Sequence, residues 1–97
     1  MPAVTRLSDF CTGHSSFPPR PSAQGSPDVY VNDIEVHRQT DSWVPHGSPS
    51  PSPPHGGNLS SGSSTVYVNG LQMGRIGDPV DCGSTVAQGS PNVFCGG

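Results

Sequence analysis

Gly62-Ser63-Ser64-Thr65-Val66-Tyr67-Val68-Asn69-Gly70-Leu71-Gln72-Met73-Gly74-Arg75-Ile76-Gly77-Asp78 reads as one β-hairpin followed by a short polar phrase. Val66-Tyr67-Val68 is a run of β-favouring residues and Leu71-Gln72-Met73 starts the return. Asn69-Gly70 between them suits a two-residue turn, because both central residues need positive φ, which Asn tolerates and Gly takes freely. The outgoing words recur at Gly25-Ser26-Pro27-Asp28-Val29-Tyr30-Val31-Asn32-Asp33 and at Gly89-Ser90-Pro91-Asn92-Val93-Phe94-Cys95-Gly96-Gly97. An Arg-x-x-Asp phrase also occurs three times, as Arg6 to Asp9, Arg38 to Asp41 and Arg75 to Asp78. A pattern spelled three times in 97 residues is a repeat architecture.

The three Arg residues stand 19, 24 and 14 residues ahead of the next strand-word glycine. The ends of each unit are therefore fixed and the middles vary, as expected when common ends form a frame and loops absorb the differences. After Ile34-Glu35-Val36, with its alternating faces, unit two begins at Arg38. Its loop from Gly47 to Ser61 is a Ser/Pro repeat followed by His55-Gly56-Gly57, a composition that favours extended, solvated backbone. Unit three has the shortest loop, and no return strand follows its strand word in sequence. Pro or Gly interrupts every candidate helix. The expected fold is all-β: a single domain over residues 1–97, three pseudo-threefold hairpin units, and long Pro/Ser/Gly loops.

Composition narrows the function. Hydrophobic residues make up 30% of the chain, with 13 Gly and 12 Pro, so a small core needs a staple from a metal, a disulfide or a partner chain. The net charge is −3 and the four cations are all arginine, which argues against nucleic-acid binding. Neither an apolar run of membrane-spanning length nor a signal-peptide pattern is visible, so stable membrane anchoring and the general signal-peptide route are not expected. Three cysteines without a CxxC pair disfavour a disulfide framework and a redox motif.

The repeat register supplies a ligand set. Five residues after each Arg-x-x-Asp aspartate stand His14, His46 and Gly83, the last beside Cys82, and His55 lies in the second loop. If the units surround an axis, these positions converge, and three imidazoles with one thiolate make a closed tetrahedral set for a structural Zn²⁺. Cys11 competes for the thiolate role, three residues before His14, while Cys95 reads as a buried small apolar residue. His37 lies outside the register and is expected at the surface. Trp43 and Phe17 read as loop anchors. The Arg-x-x-Asp phrases read as local salt bridges, and no acid–base pair or Ser-His-Asp order points to catalysis. A small metal hydrolase would require an open metal position.

The words Gly-Ser-Pro-Asp-Val-Tyr-Val-Asn, Asn-Gly-Leu-Gln-Met-Gly-Arg-Ile-Gly-Asp and Gly-Ser-Pro-Asn-Val-Phe, with the Pro54-His55-Gly56-Gly57 turn, resemble the PAAR-repeat proteins. These are the tips of contractile injection machines: type VI secretion spikes and contractile phage tails of the T4 type. The naming motif keeps only its arginine here, in Glu35-Val36-His37-Arg38 and Gln72-Met73-Gly74-Arg75. The resemblance implies a small cone whose base caps the blunt end of a trimeric β-helical spike, one monomeric tip per trimer. It also implies an apex stapled by zinc, with iron as the other candidate, on His14, His46, His55 and Cys82. By size it implies a membrane-piercing tip in the virion, at the tail baseplate, with no room for a toxin extension. The alternative it offers is an adaptor that is secreted through a type VI system and tethers an effector.

Overall fold

The computed structural model describes residues 1–14, 17–47 and 55–96, so Pro54 and most of the Ser/Pro repeat lie outside the described residues. The described residues are all-β, without a helix, and the molecule measures 39 × 24 × 22 Å along its principal axes. Four short strands form two antiparallel hairpins: β1 (Tyr30–Val31) with β2 (Ile34–Glu35), and β3 (Tyr67–Val68) with β4 (Leu71–Gln72). The registers are Val31 opposite Ile34 and Val68 opposite Leu71. Asn32 and Asp33 turn the first hairpin at φ 55° and 63°, and Asn69 and Gly70 turn the second at 54° and 78°. Both turns thus have the two positive φ values that fit the twist of adjoining strands.

The third strand word forms no hairpin of its own, and its partner comes from the other end of the chain. Phe94 bridges Ala3, the Val4 amide donates to the Val93 carbonyl (3.0 Å), and the Cys95 amide donates to the Pro2 carbonyl (3.0 Å). Ala3-Val4-Thr5-Arg6 therefore stands where Glu35-Val36-His37-Arg38 and Gln72-Met73-Gly74-Arg75 stand in the other units. The three segments then join one another. His37 donates its amide to Thr5 (3.1 Å), Thr5 to Gly74 (3.0 Å) and Gly74 to His37 (2.9 Å), which closes a cycle of main-chain hydrogen bonds.

Side chains repeat around this cycle. The Ser26, Ser63 and Ser90 hydroxyls each accept two amides of the following turn, at 2.9–3.2 Å. The same hydroxyls reach the neighbouring unit: Ser26 donates to Asn69 Oδ1 (2.7 Å) and Ser90 to Asn32 Oδ1 (2.6 Å). Arg38 and Arg6 reach the same two oxygens, each at 3.1 Å. In the third unit Gly96 occupies the asparagine position, and its main-chain carbonyl takes over, accepting from Ser63 (2.6 Å) and Arg75 (3.2 Å).

Each Arg-x-x-Asp phrase is a tight turn locked by its own ends. The aspartate accepts the arginine's amide at 2.8–2.9 Å and the Nε and Nη2 donors along one edge of its guanidinium, and Asp41, for example, is 3% exposed. Such fork-on-carboxylate pairing is stronger than an exposed point contact. The residue immediately before each aspartate, Ser8, Thr40 or Gly77, carries φ of 73°, 76° or 91° to close the turn.

Two small cores follow one another along the molecule. Val4, Val31, Val36, Val68 and Cys95 pack between the hairpins, which places Cys95 where a buried apolar residue was expected. Cys11, Trp43, Leu59, Val80 and Val86 form the second core, with Cys82 against it. The hydrogen-bonded cycle lies between them, and Leu59 reaches it at Gly74. His37 is in this layer and not at the surface. It is fully buried, tilted at 50° against Trp43 with 4.7 Å between ring centroids, and its Nδ1 is 2.9 Å from the Gln24 carbonyl. Burial holds its pKa below the ordinary value, so a neutral ring fills the layer. The surface expectation failed because Trp43 and the Gln24 carbonyl, both remote in sequence, give the ring a packed and hydrogen-bonded place inside.

A β-carbon on Gly74 would meet Thr5 Cγ2 at 2.8 Å, Leu59 Cδ2 at 2.9 Å and the His37 carbonyl at 3.0 Å. Gly74→Ala is expected to cost about 1–3 kcal/mol through overpacking, measured as a lower thermal midpoint. Gly70→Ala, with open space around it but φ of +78°, is expected to cost only about 1 kcal/mol.

Candidate metal centre

The ligand-type side chains rest on the second core, and pairing of short segments aims them. His46 and His55 face each other across an antiparallel bridge, exchanging amide-to-carbonyl bonds of 2.9 and 3.0 Å, so their imidazoles stand side by side. His14 is bridged in the same way to Phe17, and Cys11 beside it is bridged to Val86. Cys82 sits in a tight turn closed by the Gly83 amide on the Val80 carbonyl (3.0 Å), where Gly83 has φ of +105°. That turn is tied to the His55 segment, because Asn58 and Asp81 exchange hydrogen bonds of 2.9 Å.

One donor atom from each of His14, His46, His55 and Cys82 lies within 4.8 Å of the others, so these four could hold a metal ion. All four sequence candidates are brought together. Cys11 is 3% exposed in the second core, where its sulfur accepts the Arg20 amide at 3.4 Å, and it is not in the group.

The protonation chemistry fits a cation. His46 Nδ1 is 2.8 Å from the Pro18 carbonyl, which only accepts, so Nδ1 carries the proton and Nε2 of the neutral ring carries a lone pair. That Nε2 is 2.9 Å from His55 Nε2, which is itself 3.0 Å from His14 Nε2. His55 Nε2 has a single in-plane site, either an N–H or a lone pair, to share between two neighbours, so it cannot make good hydrogen bonds to both. A cation satisfies all three nitrogens at once. Burial, with the neighbouring His46 and His55, holds the His14 pKa below its ordinary value, which keeps it in the ligating form. The Pro18 carbonyl orients a ligand ring in the manner usual for metal-bound histidine. Ser84, buried 3.7 Å from the Cys82 sulfur, can offer its hydroxyl to a thiolate.

Gly57 is packed against the cysteine, and a β-carbon there would stand 2.9 Å from Cys82 Sγ and 2.8 Å from Val80 Cγ1. Gly57→Ala is therefore expected to push the sulfur off position and weaken metal binding about tenfold, read by competition with a chromogenic chelator. Protons compete for the same lone pairs. Metal is expected to be retained at neutral pH and released, with proton uptake, as the pH falls below the ordinary imidazole range. The lowered His14 pKa moves that release to more acid pH, as a pH series of chelator-free dialysis will measure.

Comparison with known proteins agrees with this architecture. The family model for the PAAR motif matches residues 12–88. The chain is 36% identical over 70 residues to double-stranded DNA deaminase toxin A of Burkholderia cenocepacia strain H111, a match covering 72% of this chain and 5% of the toxin. It is 37% identical over 78 residues to the NAD(P)(+) glycohydrolase toxin Tse6 of Pseudomonas aeruginosa PAO1, and equally to the (p)ppApp synthetase toxin Tas1 of strain UCBPP-PA14. Each of those matches covers 76% of this chain and 18% of the toxin. The chain thus corresponds to a small part of each relative's length. With the family model spanning most of its residues, this chain belongs to the PAAR-motif family.

Proposed function

We propose that the chain is a non-enzymatic spike-tip module that caps a trimeric β-helical spike and joins toxin cargo to it in a type VI secretion machine, with a structural zinc ion on His14, His46, His55 and Cys82. The observation that carries the capping role is the set of exposed aromatics in the strand words. Tyr30, Tyr67 and Phe94 are 53%, 56% and 51% exposed, at the same position of each unit around one closed cycle of hydrogen bonds. A threefold partner can meet such a surface with three near-equivalent contacts from a single chain. Large aromatic side chains are the usual anchors of protein interfaces.

The reading as a module without chemistry of its own is supported by its relatives. A deaminase, a glycohydrolase and a synthetase toxin share this segment. What the segment does must suit all three, so it is not any one of those reactions. The toxins also favour the secretion setting over a virion baseplate, although capping and sharpening a spike would serve either. Three imidazoles and one thiolate suit zinc better than harder-ligand metals, and a set of four protein ligands is characteristic of structural sites.

Two measurements test this. Elemental analysis is expected to give about one zinc per chain, with circular dichroism showing loss of structure on chelation. A well-folded chain without metal would sink the zinc reading. Mixing with a trimeric β-helical spike protein is expected to give one chain per trimer by light scattering. The Tyr30→Ala/Tyr67→Ala/Phe94→Ala variant is expected to lose at least about 100-fold in affinity while keeping its metal. Undiminished binding by that variant would remove the aromatic surface from the interface.

A further inference from the structure

Phe17 does more than anchor a loop. Its ring centroid lies 5.0 Å from that of His14, 5.1 Å from His46 and 4.4 Å from His55. The three imidazole centroids are themselves 4.5–5.0 Å apart. A ring nearly equidistant from all three imidazoles stands over the triangle they form. A benzyl ring and a ligating sulfur cannot share one side of so small a triangle, so Phe17 covers the side turned away from Cys82. The antiparallel bridge to His14, with amide-to-carbonyl bonds of 3.0 and 2.8 Å in both directions, holds it there.

We infer that Phe17 is a positioning residue for the metal: it covers the face bounded by the three imidazoles, so that a bound ion would be kept four-coordinate and slow to exchange on that side. This rests on the metal-site reading given above. Four-coordinate metal can expand to five by accepting a ligand opposite an existing one. Opposite the thiolate, that approach passes through the imidazole triangle. The Phe17 ring offers no donor atom there. It also presses on all three imidazoles, so the rings cannot swing apart to let the ion go.

The test uses the full chain loaded with Co²⁺, whose visible bands distinguish four-coordinate from five-coordinate geometry, and azide as the added ligand. The wild-type protein is expected to show the intense bands of a four-coordinate ion and no change on addition of azide. Phe17→Ala is expected to show weaker bands that change with azide concentration, and to release Zn²⁺ to a chelator about tenfold faster. Identical spectra, azide response and release rate in the two proteins would overturn the role of Phe17 and leave the metal site standing. Azide uptake by the wild-type protein would overturn it too, without recourse to the variant should that variant fold poorly. Failure of the wild-type chain to bind Co²⁺ or Zn²⁺ at all would instead remove the site itself.

Discussion

Three main-chain hydrogen bonds, Thr5 to Gly74, Gly74 to His37 and His37 to Thr5, are the constraint on which the rest of this structure depends. Among the described residues no strand exceeds two residues, and two-stranded ribbons of that size are not stable alone in water. The cycle gives each return segment a neighbour on both sides, so no inner edge is left unpaired. It also brings together residues far apart in sequence and so fixes the relative placement of everything attached to them. The side chains at its corners are unequal. One is a buried imidazole, one a threonine and one only a hydrogen, and together with Leu59 they fill a layer that three equal side chains would overfill or leave hollow.

Around that cycle the chain spends its polar residues on local locks, where larger domains spend apolar ones on a core. Serine hydroxyls hold the turns, and aspartates clasp the arginine that begins each phrase. The asparagine oxygens, or the Gly96 carbonyl in their place, link each unit to the next. Because these locks are local to the frame, the loops between them are free to differ in length. They carry the donor atoms to one place, beyond the second core, where little apolar surface remains to hold them. An ion held there would supply cohesion that packing does not.

Much of this was legible in the sequence, and the parts that were not share one cause. The strand words, the Asn-Gly and Asn-Asp turns and the Arg-x-x-Asp locks are written in side chains with strong local preferences. The register of the repeat pointed to His14, His46 and the neighbourhood of Cys82, and His55 was added from the second loop. The role of Ala3-Val4-Thr5 was missed because its pairing with Val93 and Cys95 uses main-chain groups, which any residue possesses. The cue available was its place immediately before Arg6, matching Val36-His37 before Arg38. His37 was misplaced for a related reason, since its burial depends on Trp43 and on the Gln24 carbonyl, neither of which adjoins it in sequence. Phe17 could be recognised as an anchor but not as a neighbour of three imidazoles, because that depends on where three separate loops end.

The pairing of Pro2 to Val4 with Val93 to Cys95 has a consequence for how the molecule is made. A ribosome delivers the two partners at opposite ends of the synthesis of this segment. The Val4 amide and the Pro2 carbonyl wait for residues 93–95 to emerge, whereas the Ala3 carbonyl can already accept the Ile76 amide and the hairpins at Asn32 and Asn69 can form as soon as they are exposed. The hydrogen-bonded cycle already joins Thr5 to both other units and Val4 is bridged to Arg75, so the last strand word adds the outer partner of this corner. Folding is therefore sealed by its most distant contact, and a nascent chain halted before Val93 leaves its opening residues available to any other strand edge it meets.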